Sequence, residues 1–166
     1  MHILFVDDNR VWQKIALLKL PKIGCSVAVA SDGQEALNYL SAPPEQLHTL
    51  TEIQIAMPIL DGLSATRILR NEAPFTNDPK IRTTPIIGLC TTSLRADHRR
   101  FIEQGMNDII TKPWNVGQIQ PVLRWWAQRR VIVPRAGEVV GQRYGPGFKG
   151  GWGGEWRAFR GPRSRM

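Results

Sequence analysis

Few places in this chain carry residues that do chemistry. Asp7 and Asp8 stand side by side after the apolar run Ile3-Leu4-Phe5-Val6, and Lys112 follows Ile109-Ile110-Thr111 and precedes Pro113. Gln54 to Met57 ends a third run, and Cys90 with Thr91 ends a fourth that starts at Pro85. Two acids and a lysine that converge from separate strands can hold a charged ligand; taken singly they are solvated loop charges. Cys90 has no histidine or second cysteine at ligand spacing and reads as a buried small hydrophobe. Cys25 and Cys90 are too few and too scattered for a zinc site or a disulfide framework, which implies a reducing, intracellular setting.

These residues come together only if the segments between them form a sheet. Ile3–Val6 is short and continuously apolar, as expected of a strand covered on both faces. A helix is predicted from Val11 to Leu20, with Val11, Ile15 and Leu18 at helical spacing and Pro21 and Gly24 as stop signals. Val27–Ala30 is the second strand and Gln34–Leu40 the second helix, followed by the proline-rich Ala42-Pro43-Pro44. The third strand lies near Leu50–Ile55, with Thr51 and Glu52 at odds with an apolar strand, and its helix spans Ser64–Arg70. After a polar loop, 71–84, come a strand at Pro85–Cys90, a helix at Arg95–Gln104, a strand at Ile109–Thr111 and a helix at Val116–Arg130. Five strands alternating with five helices imply a doubly wound parallel sheet, (βα)5, with right-handed crossovers. In such sheets ligands bind beyond the carboxyl ends of the strands, where the strand order reverses. Asp7, Asp8, Gln54, Cys90, Thr91 and Lys112 all fall at those ends.

The chain has 166 residues, 42% hydrophobic and 22% charged, which excludes a wholly disordered chain and a disulfide miniprotein. One domain plus an appendage is the expected organisation: a domain over 1–130 and a basic, glycine-, arginine- and tryptophan-rich flexible tail over 131–166. Of the net charge of +8, the tail supplies +5, from seven Lys/Arg against two acids, and it holds nine of the fifteen glycines without any apolar period. No apolar run has membrane-spanning length and no signal-peptide pattern opens the sequence, so a soluble, intracellular protein is expected, cytoplasmic with a nuclear setting left open.

Several stretches resemble the receiver domain of response regulators, most nearly the receivers of hybrid histidine kinases: Ile3–Asn9 (ILFVDDN), Gly33–Leu37 (GQEAL), Met57–Arg67 (MPILDGLSATR), Pro85–Leu89 (PIIGL) and Gly105–Pro113 (GMNDIITKP). The resemblance covers about residues 2 to 128. It implies a flavodoxin-like fold and a non-enzymatic module of a two-component phosphorelay, which takes a phosphoryl group from a phosphohistidine onto an aspartate. It also implies Mg²⁺, a hard cation that wants oxygen ligands: Asp8 as direct ligand, Asp7 through water, and the backbone carbonyl of Ala56. Lys112 would pair with phosphoryl oxygens, with Lys112-Pro113 a candidate cis bond. The implied partners are a histidine kinase, a histidine phosphotransfer protein or another receiver.

The centre of the pattern departs from the family. The phosphoaccepting aspartate sits four residues before the proline of Met57-Pro58, and Gln54 occupies that position. A neutral amide is a poor nucleophile where a carboxylate oxygen is needed. Gln54 also supplies no third carboxylate, so Mg²⁺ binding should be weakened. Two switch positions change as well. Cys90, a weak donor, replaces a hydroxyl residue, with Thr91 one residue out of phase, and Ile109 replaces an aromatic. The combination resembles atypical or pseudo-receivers, which signal through protein contacts.

Two further classes compete. One is a phosphorylatable regulator with another acceptor: Glu52 lies too deep, and Asp61 reads as a turn residue before Gly62. His48 and His98 are isolated and suggest no phosphohistidine. The other is a nucleic-acid-binding protein acting through the tail, where Tyr144, Phe148, Trp152, Trp156 and Phe159 interleave with arginines. Trp125 and Trp126 are either interface anchors or, equally simply, one core residue and one half-exposed neighbour.

Overall fold

A computed structural model describes residues 1–41, 50–54, 60–91 and 100–128, with the strand at 50–54 described by its backbone. The elements in chain order are β1 (His2–Val6), α1 (Arg10–Lys19), β2 (Ser26–Ala30), α2 (Gly33–Leu40), β3 (Leu50–Gln54), α3 (Gly62–Asn71), α4 (Pro79–Thr83), β4 (Ile86–Cys90), β5 (Asp108–Thr111) and α5 (Val116–Ala127). The five strands form one parallel sheet in the order β2-β1-β3-β4-β5. Strand order therefore reverses between β1 and β3, which directs the ligand crevice to the ends of those two strands.

Alternation along β1 divides the core in two. Leu4 and Val6 join Ala36, Leu37 and Leu40 of α2 and Leu69 of α3 on one face, where Phe101, Ile102 and Met106 also pack. Ile3 and Phe5 join Ala16 and Leu20 at α1 and Ile119, Val122, Leu123 and Trp126 of α5 on the other. Successive side chains of a strand point to opposite faces, so a strand covered on both sides is apolar throughout.

Each described helix opens on an Asn or Asp whose side chain accepts a backbone N–H of the first turn: Asn9, Asp32, Asp61, Asp78 and Asn115 for α1 to α5. The first-turn donors have no intrahelical partner, and a short carboxylate or amide satisfies them. In α5 the Gln118 side chain also accepts the Asn115 N–H, completing a capping box.

Two expectations are altered. The polar loop 71–84 contains a 3₁₀ turn at Phe75–Asn77 and the helix α4, with Phe75 and Ile81 buried and Ala73-Pro74 cis. The Asp78-Pro79 pair sets this up, a capping acid followed by a proline with φ already helical. Val11 and Leu18 do not face the core: they are 62% and 66% exposed, and α1 packs through Trp12, Ile15 and Ala16 instead. Of the fourth crossover helix, residues 100–103 are helical and 92–99 lie outside the described residues. Ala56, His48, His98 and the tail also lie outside them.

Candidate functional site

Asp7 directly follows β1, and its N–H donates to Ala30 O at 3.0 Å, so it is still strand-like and fully buried. Asp8 is exposed at the strand's mouth. The Asp7 carboxylate is shared: Oδ1 accepts from Asn9 N at 2.9 Å, and Oδ2 lies 2.5 Å from Lys112 Nζ. Gln13 of α1 donates to the Asp7 carbonyl at 2.6 Å and so ties helix to strand end. Lys112 arrives from β5, its N–H donates to Cys90 O at 2.7 Å, and the Lys112-Pro113 bond is cis as expected. Asp7, Asp8 and Lys112 are thus brought to one crevice, 105 residues apart in sequence at the ion pair.

Gln54 pairs with Leu89 of β4, one step past the pairing of Ile53 with Val6, which puts its backbone level with Asp7 in the crevice. Cys90 is buried in the core beside Ile109, and Thr91 is exposed. Ile109 is almost fully buried, an aliphatic packed among Leu69, Phe75 and Met106.

The tryptophan pair divides. Trp126 is buried and its indole N–H donates to Asp108 Oδ2 at 3.0 Å, so it is a core anchor and not a surface contact. Of the two readings of the pair, the structure matches one core residue and one half-exposed neighbour: the buried Asp108 carboxylate accepts the Trp126 indole N–H and so lets that ring be buried. Trp125 is half-buried and meets Trp126 edge to face at 4.5 Å.

Trp12 was not signalled by any motif. Its ring lies 5.5 Å from Lys112 Nζ and 5.8 Å from the Trp114 ring, which in turn meets Phe5 at 6.0 Å. A tryptophan four residues after the acidic pair at the end of a strand was the available signal.

The donors present suit a hard divalent cation in kind, two adjacent carboxylates with one at the solvent-facing mouth. Among the described residues no three His, Cys, Asp or Glu side chains gather as a ligand set. No described helix is long and apolar enough to cross a membrane.

A parallel sheet ordered 2-1-3-4-5 with paired acids after β1 and a Lys-cis-Pro after β5 defines a class of flavodoxin-like signalling domains. Residues 3–124 match the response regulator receiver domain, and the chain belongs to that family. It is 33% identical over 130 residues to the transcription factor SKN7 of Saccharomyces cerevisiae, covering 78% of this chain and 19% of that one. The chain spans a fifth or less of the first curated relatives it matches. Among solved structures, the receiver domain of sensor histidine kinase PA1611 from Pseudomonas aeruginosa, with magnesium in its active site cleft, is 30% identical with a TM-score of 0.65 over 77% of this chain and 98% of that one. The receiver of the Saccharomyces cerevisiae response regulator Ssk1, solved with the histidine phosphotransfer protein Ypd1, is 25% identical with a TM-score of 0.68 over 80% and 92% of the two chains.

Proposed function

We propose that this chain is a receiver module that docks a histidine phosphotransfer protein or kinase without taking its phosphoryl group. The observation that carries the reading is Gln54, whose backbone lies in β3 level with Asp7, at the position where the family's acceptor carboxylate belongs. With an amide there, the crevice offers a partner charge and shape but no nucleophile. Asp8, Asp7 and the Ala56 carbonyl would hold Mg²⁺, weakened by the missing carboxylate. The metal would neutralise oxygens of a phosphoryl group presented to the crevice.

The docking face is the outer side of α1. Val11, Leu17 and Leu18 are exposed on it, Arg10 and Lys14 flank them, and the helix carries no acid. Its N-terminal end adjoins Asp8, so a partner seated there also overlies the crevice. The matching partner surface is apolar with an acidic rim, and the Ssk1 complex shows that a receiver of this fold is engaged by a histidine phosphotransfer protein.

Mixing the chain with a phosphorylated histidine phosphotransfer protein and Mg²⁺ should give a complex in which the phosphoryl group stays on the histidine. Leu18→Glu should break the complex, and Gln54→Asp should restore transfer. Phosphate on the unmodified chain, lost on hydroxylamine treatment, would instead establish a phosphorylatable regulator with another acceptor.

A further inference from the structure

Lys112 is held from two sides. Its ammonium contacts the Asp7 carboxylate at 2.5 Å and faces the Trp12 ring at 5.5 Å, with the lysine side chain only 9% exposed. Trp12 is itself fixed: Trp114 packs on it at 33° and 5.8 Å, and Trp114 meets Phe5 of β1 at 60°. Lys112 and Trp114 flank Pro113, so one loop grips the same indole with an ammonium and with a ring. An ammonium over an indole face is attracted by the ring quadrupole, the more so where water is excluded.

Resting on the reading of Asp7, Asp8 and Lys112 as the receiver crevice, we propose that Trp12 is a positioning residue for Lys112. The indole face and the Asp7 carboxylate together keep the ammonium as the internal counter-ion of the acidic pair. In that place it competes with a divalent cation for Asp7 Oδ2. Trp12 thereby sets how readily the crevice takes a metal, from a helix whose other face is the docking surface.

The test uses the full chain with Trp12→Phe, which keeps a ring face, and Trp12→Met, which keeps bulk without one; Trp12→Leu replaces the latter if it does not fold. NMR of the lysine ε-methylene and ammonium groups should show a ring-shifted, ordered Lys112 in the unmodified chain and in Trp12→Phe. In Trp12→Met the shift should vanish, the side chain should become mobile, and Mg²⁺ affinity by calorimetry should rise about two- to fivefold. A role in packing alone lowers thermal stability without releasing Lys112, so an unchanged Lys112 signal in a folded Trp12→Met overturns the proposal. So does an unmodified chain with no ring shift at Lys112. Mg²⁺ binding that survives Asp8→Asn, or no Mg²⁺ binding by any variant, defeats the metal-site reading instead and leaves the NMR comparison to decide the role of Trp12.

Discussion

Asp61 illustrates how one residue carries more than its sequence context declares. Before Gly62 it reads as a turn residue, yet it caps α3: Oδ1 accepts from Leu63 N at 2.9 Å and Ser64 N at 3.0 Å, and Oδ2 from the Ser64 hydroxyl at 2.8 Å. Partial burial pushes its carboxyl up, but the hydrogen bonds from Ser64 and Leu63 outweigh this and leave it below the ordinary aspartate value. A folded pKa below the unfolded one means that the contribution is present in full above the ordinary value and is lost as pH falls through the lowered folded value. Asp61→Ala should cost about 1 kcal/mol at neutral pH. Asp61→Asn, which keeps an acceptor, should cost a few tenths and should flatten the acid limb of stability below about pH 4. Urea titrations across pH check both, and an unaltered acid limb in Asp61→Asn counts against this account. Among the crevice residues, Asp7, Asp8 and Lys112 were legible because acids and a lysine at apolar strand ends stand out by type. Trp12 was not, because an aromatic at helical spacing looks the same whether it fills the core or faces a cation.

At the scale of elements the strands were legible to within a residue or so, because four of the five runs are apolar and bounded by polar turns. The helix faces were less so: Val11, Ile15 and Leu18 have the right period for a core stripe, and periodicity alone cannot say which side a second apolar set will take. Packing between elements was not legible at all. Gly33 opens α2 against Leu60, and a Cβ there would come within 2.6 Å of the Leu60 carbonyl oxygen and 2.9 Å of Ala65 Cβ, so only glycine lets α2 approach α3. Arg70, at the end of α3, donates to the carbonyls of Gly105, Ile81, Arg82 and Thr84 and to Asn107 Oδ1. It thus ties α3 to α4 and to the entries of β4 and β5, where Asn107 Oδ1 also accepts from Ile86 N. Burial pulls its pKa down to about 10. Because that value lies below the unfolded one, the penalty for burying the charge is present in full below it and is relieved only as pH rises from about 10 toward the ordinary arginine value. Arg70→Met should cost about 2–3 kcal/mol by orphaning these acceptors, and Arg70→Lys should recover little because an ammonium cannot present the fork. The loss should be the same at about pH 6 and pH 9; denaturant titrations at the two pH values check this, and a strongly pH-dependent loss would point to a carboxylate partner.

At the scale of the molecule, the two hydrophobic clusters among the described residues lie between Ile3 and Trp126, and the family match ends at 124. Trp126 anchors the C-terminal end of α5 by its bond to Asp108. The remaining 36 residues, 131–166, carry +5 of charge and nine glycines, with little aliphatic material to offset the entropy of ordering them. We therefore propose that the chain divides into a receiver at 1–130 and a basic tail that adds electrostatic affinity. Deleting 131–166 should leave the thermal midpoint within about 2 °C of the full chain, since a glycine- and arginine-rich segment offers little apolar area to bury. Affinity for single-stranded nucleic acid, with Arg143, Lys149, Arg157, Arg160, Arg163 and Arg165 available to neutralise phosphates, should fall on truncation. In the full chain it should weaken steeply with salt, by about 0.7 logarithmic units per tenfold salt for each phosphate contacted. Two outcomes defeat the division: a large loss of thermal stability on truncation, which means that the tail tryptophans dock on the domain, or salt-insensitive binding, which means a structured site.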